Sequence, residues 1–131
     1  MISTAHLDYW SRWRTEPKVR TLAEDWITQP PSSWYKSGTG LYALFDRDPS
    51  ETFAAILAMV QIGGSDELIA HVAAGPLEDF LGKYGEQFIE AVHAIALREP
   101  QLRHALQFVW RGSMSTDVWR RVEILRESAF S

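Results

Sequence analysis

An all-α fold is predicted by three features of the chain. Apolar residues recur at three- and four-residue steps along most of its length. Proline, glycine and serine cut that pattern into short segments with recognisable helix starts and stops. The one stretch that also reads as a strand, Leu41 to Phe45, has no neighbouring segment to pair with and is assigned to helix. The expected architecture is a compact stack of seven to eight short antiparallel helices in one domain spanning 1–131, with an irregular loop around 29–47. The loose rhythm of helix pairs is compatible with a HEAT-like arrangement.

The elements follow in order. Leu7, Trp10 and Trp13 repeat at three-residue steps, and Ser3 or Thr4 is placed to cap them. Thr15 or Glu16 before Pro17 starts a second helix, whose apolar face is Val19, Leu22, Ala23, Trp26 and Ile27. Asp48-Pro49-Ser50-Glu51 combines a cap, a first-turn proline and a glutamate placed to reach back to the free amide. The helix that follows buries Phe53, Ile56, Leu57 and Val60 and ends at Gly63-Gly64. Ser65 caps a short helix with Leu68, Ile69 and Val72, and Gly75-Pro76 is read as starting another, broken at Gly82 or Gly85. Phe88, Ile89, Val92, Ile95 and Ala96 mark the next. Pro100 starts a helix burying Leu102, Leu106, Val109 and Trp110, closed by Gly112. Ser115 caps the last, with Val118, Trp119, Val122 and Leu125.

Composition narrows function by exclusion. The 131 residues are 46% hydrophobic and 23% charged, which is a globular balance. There is no cysteine, so disulfides, thiolate zinc sites and cysteine nucleophiles are excluded. The N-terminal residues lack a basic stretch followed by an apolar run, and no apolar run approaches the ~20 residues of a membrane span. A cytoplasmic protein is expected. The net charge of −4 is uneven: residues 40–99 carry ten acidic and three basic side chains, while 100–131 carry five basic and three acidic. An acidic centre disfavours nucleic acid and suits a basic protein partner.

The motifs of chemistry are missing. His6, His71, His93 and His104 show no His-Glu-x-x-His spacing, though His71, His93, His104 and Glu90 could meet in space. Gly112-Ser113 is not a nucleophile elbow, and Gly38-Thr39-Gly40 is too short for a phosphate loop. No catalytic residue, metal or cofactor is assigned. Glu78 and Asp79, placed in a first helical turn, are read mainly as companions of the helix dipole. One of them is expected to pair with Arg103, whose guanidinium would lie beside a buried face and need a partner. Of the six tryptophans, Trp10, Trp13, Trp26, Trp110 and Trp119 fall at helical apolar positions; Trp34-Tyr35 lies in a loop and either folds back as a lid on the core or serves as the aromatic anchor for a partner.

Residues 73–81, Ala-Ala-Gly-Pro-Leu-Glu-Asp-Phe-Leu, are followed by Gly85, Phe88-Ile89, Arg98-Glu-Pro-Gln-Leu-Arg103, Val109-Trp110-Arg111 and Val118-Trp119. This resembles an uncharacterised bacterial domain family with the pattern A-G-P-L-E-D-L-L, then G-x-x-F-I, then D-P-x-F-R-x-x-L-x-x-V-W. Glu99 stands where the family often has Asp, Leu102 where it often has Phe, and Pro30 to Gly40 departs from the pattern. The resemblance implies an all-α fold and bacterial origin and transfers no activity. The leading expectation is a non-enzymatic protein-binding module, of which an immunity-type protein covering a basic toxin is one form. The alternatives are a small-molecule binder or enzyme with a polar cleft around Glu78, Asp79 and Arg103, and a weak nucleic-acid binder using the C-terminal arginines. Partner identity and oligomeric state are not specified by the sequence.

Overall fold

Ten consecutive residues, Glu51 to Val60, are buried, and they set the plan of the molecule. A helix buried on every side, and apolar throughout from Phe53 to Val60, has no face to give to water and belongs at the centre. The computed structural model describes residues 8–28 and 40–128. Among them it is all-helical: α1 (Asp8–Thr15), α2 (Pro17–Thr28), α3 (Gly40–Leu44), the central α4 (Pro49–Ile62), α5 (Asp66–Val72), a π turn (Ala73–Leu77), α6 (Glu78–Arg98), α7 (Pro100–Leu106) and α8 (Thr116–Ser128). Helices α1, α2, α3, α5 and α7 all pack on α4, while α6 packs on α7 and α8. One hydrophobic cluster, from Trp10 to Leu125, runs through both halves.

The seam between the halves is aromatic. Phe53 of α4 stacks on Phe80 of α6 at 5.5 Å between ring centres and tilts against Phe88 at 5.2 Å. Tyr9 of α1 meets Phe53 edge-on at 5.1 Å. Such pairs contribute about 0.5–1.5 kcal/mol each beyond the area they bury.

Local signals account for most element ends. Asp48 Oδ1 accepts the Glu51 N–H at 3.0 Å and caps α4, but the expected reciprocal bond is not made. The Asp48 N–H goes to the Leu44 carbonyl at 2.9 Å, which leaves Glu51 to pair with Lys18 of α2 at 2.9 Å. Ser65 Oγ accepts the Leu68 N–H at 3.2 Å, and Gly64, at φ +83°, turns the chain between α4 and α5. Leu41 to Leu44 is helical, as assigned; residues 29–39, with Trp34 and Tyr35, lie outside the described residues, as does His6.

The expected break within 73–85 does not occur. Helical turns run without a gap from Asp66 to Arg98, but the axis bends: the contact of His104 with Asp66 brings the start of α5 back to α7. Pro76 has no N–H to give, and its ring would strike the carbonyl four residues back in an α-helix. The π turn widens the backbone there, and the Glu78 N–H reaches Ala73, five residues back, as well as Gly75. A proline read as a start signal therefore sits inside a helix. Gly82 and Gly85 are interior to α6, whose 21 residues are not short.

At the surface, Asp46 Oδ1, in the turn after α3, accepts bonds from Lys83 and from the Tyr84 hydroxyl, the latter at 2.8 Å. The Lys83 bond first, and the Tyr84 bond second, hold the Asp46 carboxyl below its ordinary value. The same bonds raise the Lys83 ammonium and the Tyr84 hydroxyl. Asp46 thus adds stability above about pH 4, lost as pH falls through its lowered value. Lys83 and Tyr84 add stability below about pH 10, lost as pH rises through their raised values. All three are solvent-accessible, so the contribution is small. A carboxylate titration by NMR should place the Asp46 midpoint below the usual ~3.9. An unshifted midpoint would show that the triad does not persist in solution.

Candidate functional site

The connection between α7 and α8, residues 107–115, runs along α6 and is held at nearly every step. The Trp110 N–H donates to Glu78 Oε1 at 2.8 Å. Gly112 turns at φ +50° directly over the same carboxylate: a Cβ there would stand 3.5 Å from Glu78 Oε2. Ser113 lies on Gly82, one turn further along α6. The Ser115 hydroxyl donates to Glu86 Oε1 at 2.6 Å and accepts the Val118 N–H at 3.2 Å, capping α8. On the other side, the Arg126 guanidinium donates to the carbonyls of Val109 at 3.1 Å and Gln107 at 3.4 Å. Gln107 Nε2 returns a bond to the Arg126 carbonyl at 2.9 Å. Arg111 closes the tip through Met114 O at 3.3 Å and Thr116 Oγ1 at 3.0 Å. Met114 drops its side chain into the core.

From this fixed connection Trp110 points outward, 74% exposed. That corrects its expected place in the core. Helix α7 stops at Leu106, so the periodicity that put Trp110 beside Leu102 and Leu106 does not extend to it. Trp10 and Trp26 are buried, and Trp13 and Trp119 are packed partly buried against the core, as expected of them.

The expected pairing of Glu78 or Asp79 with Arg103 is not formed. Arg103 donates instead to the carbonyl of Ala96, and no ion pair among the described residues includes it. Ala96 lies in the last turn of α6, where carbonyls have no helical partner, and an arginine seven residues on reaches it without crossing the molecule. Nor do Glu78 and Asp79 sit at a free helix N-terminus, since helical turns continue through the π turn behind them and the Glu78 N–H is bonded within it. Glu78 is a clamp on the Trp110 loop. Asp79, beside it, is exposed.

Among the described residues, no group of three or more histidine, aspartate or glutamate side chains is arranged to hold a metal ion; His71, His93, His104 and Glu90 do not converge. His104 Nε2 is 3.0 Å from Asp66 Oδ1, tying α7 to α5, and Glu90 pairs with Arg121. A cavity of about 280 Å³ is lined by Gln107, Glu123, Arg126 and Glu127, and none of Glu78, Asp79 and Arg103 lines it.

The loop is close to α6 because α6 carries glycine there. A Cβ on Gly85 would stand 2.8 Å from Val118 Cγ1 and 3.2 Å from Cγ2, so α8 would have to move. On Gly82 the obstacle is Ser113 Oγ at 2.2 Å, which can rotate away, while the Ser113 backbone carbonyl carbon is 3.8 Å off. Gly85→Ala should therefore lose about 1–2 kcal/mol, its clash outweighing the ~1 kcal/mol gain in helix propensity. Gly82→Ala should come out neutral or up to about 1 kcal/mol more stable. Denaturant melts that ranked the two the other way would contradict this packing.

The family model described as "Family of unknown function (DUF6869)" matches residues 23–130. No curated protein and no solved structure matches the chain.

Proposed function

The chain belongs to that family of unknown function, and from the geometry of its α7–α8 connection we propose that it is a non-enzymatic protein-binding module with Trp110 as its anchor. One observation carries the reading: a tryptophan held 74% exposed by a connection tied down on both sides. Leaving an indole in water forfeits about 1.5–3 kcal/mol that burial would supply, and a partner that covers it regains that energy. Because the loop is already fixed, little conformational entropy is lost on binding.

The alternative readings find less support. A polar cleft needs convergent groups, and Glu78 and Arg103 are turned to Trp110 and Ala96 respectively. Nucleic-acid binding needs a cluster of free cations; Arg103, Arg111, Arg121 and Arg126 each hold a partner within the chain, which leaves Arg120, exposed on α8, alone among the C-terminal arginines. The finer proposal is an immunity-type protein in the cytoplasm of a bacterium, covering the basic surface of a secreted toxin. Small size and a net charge of −4 support it. Among the described residues no helix is long and apolar enough to cross a membrane.

The test is capture of partners from host lysate by the tagged protein, beside Trp110→Ala and a Trp34→Ala/Tyr35→Ala double variant. Trp110→Ala should leave the melting temperature within about 2 °C, because the ring is exposed. It should weaken capture of a specific partner by tenfold or more, the behaviour of a hot-spot tryptophan (about 2 kcal/mol or above). A partner retained by Trp110→Ala and lost by the double variant would move the binding face to residues 34–35 and overturn the proposal.

A further inference from the structure

We infer that Trp110 and Glu78 together receive one cationic side chain, an arginine or lysine on a basic protein partner; this deepens the binding reading above and rests on it. Glu78 is partly buried beneath the loop. Its Oε1 takes the Trp110 N–H at 2.8 Å, and no ion pair among the described residues includes it. A carboxylate partly withdrawn from water is thus balanced by a neutral donor alone. The residue whose backbone N–H it takes, Trp110, carries an exposed indole, whose face attracts cations. One guanidinium or ammonium resting on the ring and touching the carboxylate would make a cation–π contact and a charge-assisted hydrogen bond at once.

The protein's own nearby cations are engaged elsewhere. Arg111 is held by Met114 O and Thr116 Oγ1, and Lys83 by Asp46. Glu86 accepts from Ser115, and Asp79 is exposed on the same turn as Glu78. The net charge of −4 draws basic partners at longer range. An acidic partner, a nucleic acid or a second copy of this chain would bring like charge to Glu78.

The test uses the full chain labelled with 15N, following the indole N–H resonances, with Trp110 assigned from Trp110→Phe. Octa-arginine peptide is titrated in at low salt, with octaglutamate as the control. Octa-arginine should move the Trp110 resonance saturably and octaglutamate should not. Glu78→Gln keeps an oxygen to accept the Trp110 N–H and removes only the charge; it should weaken binding about fivefold or more. Glu123→Gln, an equal charge loss elsewhere, should stay within about twofold of wild type. A static Trp110 resonance, or equal weakening by Glu78→Gln and Glu123→Gln, would overturn the inference in favour of diffuse attraction. If Trp110→Ala abolishes partner capture while Glu78→Gln leaves it unchanged, the binding module stands and the cation corner falls.

Discussion

Phe53→Ala should destabilise the protein by about 3–5 kcal/mol, the largest effect expected of any single truncation considered. Phe53 has no accessible surface and touches the rings of Tyr9, Phe80 and Phe88, so one side chain joins α1, α4 and α6. Removing it opens a cavity where three elements meet, and none can close it without moving relative to the other two. For a chain of this length the melting temperature should fall by roughly 10–20 °C. Leu97→Ala is the matched control: Leu97 is 53% exposed and should cost under about 0.5 kcal/mol. A loss below about 1 kcal/mol for Phe53→Ala would mean that the two halves are not joined through this ring cluster.

That central position was half legible in the sequence. Asp48-Pro49-Ser50-Glu51 marks the start of α4, and Gly63-Gly64 marks its end. Residues 53–60 between them read Phe-Ala-Ala-Ile-Leu-Ala-Met-Val, apolar at every step, which already forbids a water-facing side there. Which helices enclose it depends on contacts distant in sequence, and periodicity does not carry those. The misreading of residues 73–85 has a definite cause. Proline and glycine lower helix propensity, so they read as breaks. Pro76 is accommodated by a π turn, and Gly85 leaves room for Val118 of α8, so tertiary packing overrides propensity at both places.

The site was legible in its parts and wrong in its assembly. Glu78 was singled out, but a side chain's partner is a fact of tertiary structure, and the nearest orphan carbonyl, that of Ala96, took Arg103 away from it. The spacing of Leu102, Leu106 and Val109 extrapolates to Trp110 and predicts a core position for it. Gly112 and the Ser115 cap, both visible in the sequence, confine the residues before Thr116 to a connection. Weighing those stop signals above the period would have put Trp110 in a loop.

If the loop is functional because it is fixed, a residue that touches no partner should still control binding, and Arg126 is that residue. Its guanidinium donates to the carbonyls of Val109 and Gln107 and lies 5.4 Å from the Trp119 ring centre. Arg126→Ala should lose about 2–3 kcal/mol, or roughly 10 °C in melting temperature, because two partly buried carbonyls lose charged donors together. Arg126→Lys should recover little, since one ammonium cannot serve both carbonyls and stack on the indole. The effect should be local first. Amide exchange at Trp110 and Met114, whose N–H groups bond to Glu78 and to the Arg111 carbonyl, should speed by about 10–100-fold more than in α4. Affinity for an arginine-rich probe should fall with it, although Glu78 and Trp110 are both intact, because ordering the loop then becomes a cost of binding. If Arg126→Ala instead speeds exchange equally in the loop and in α4, Arg126 supports the whole fold and not this connection. If it loosens the loop and leaves affinity unchanged, Trp110 does not need a fixed support, and its exposure alone accounts for binding.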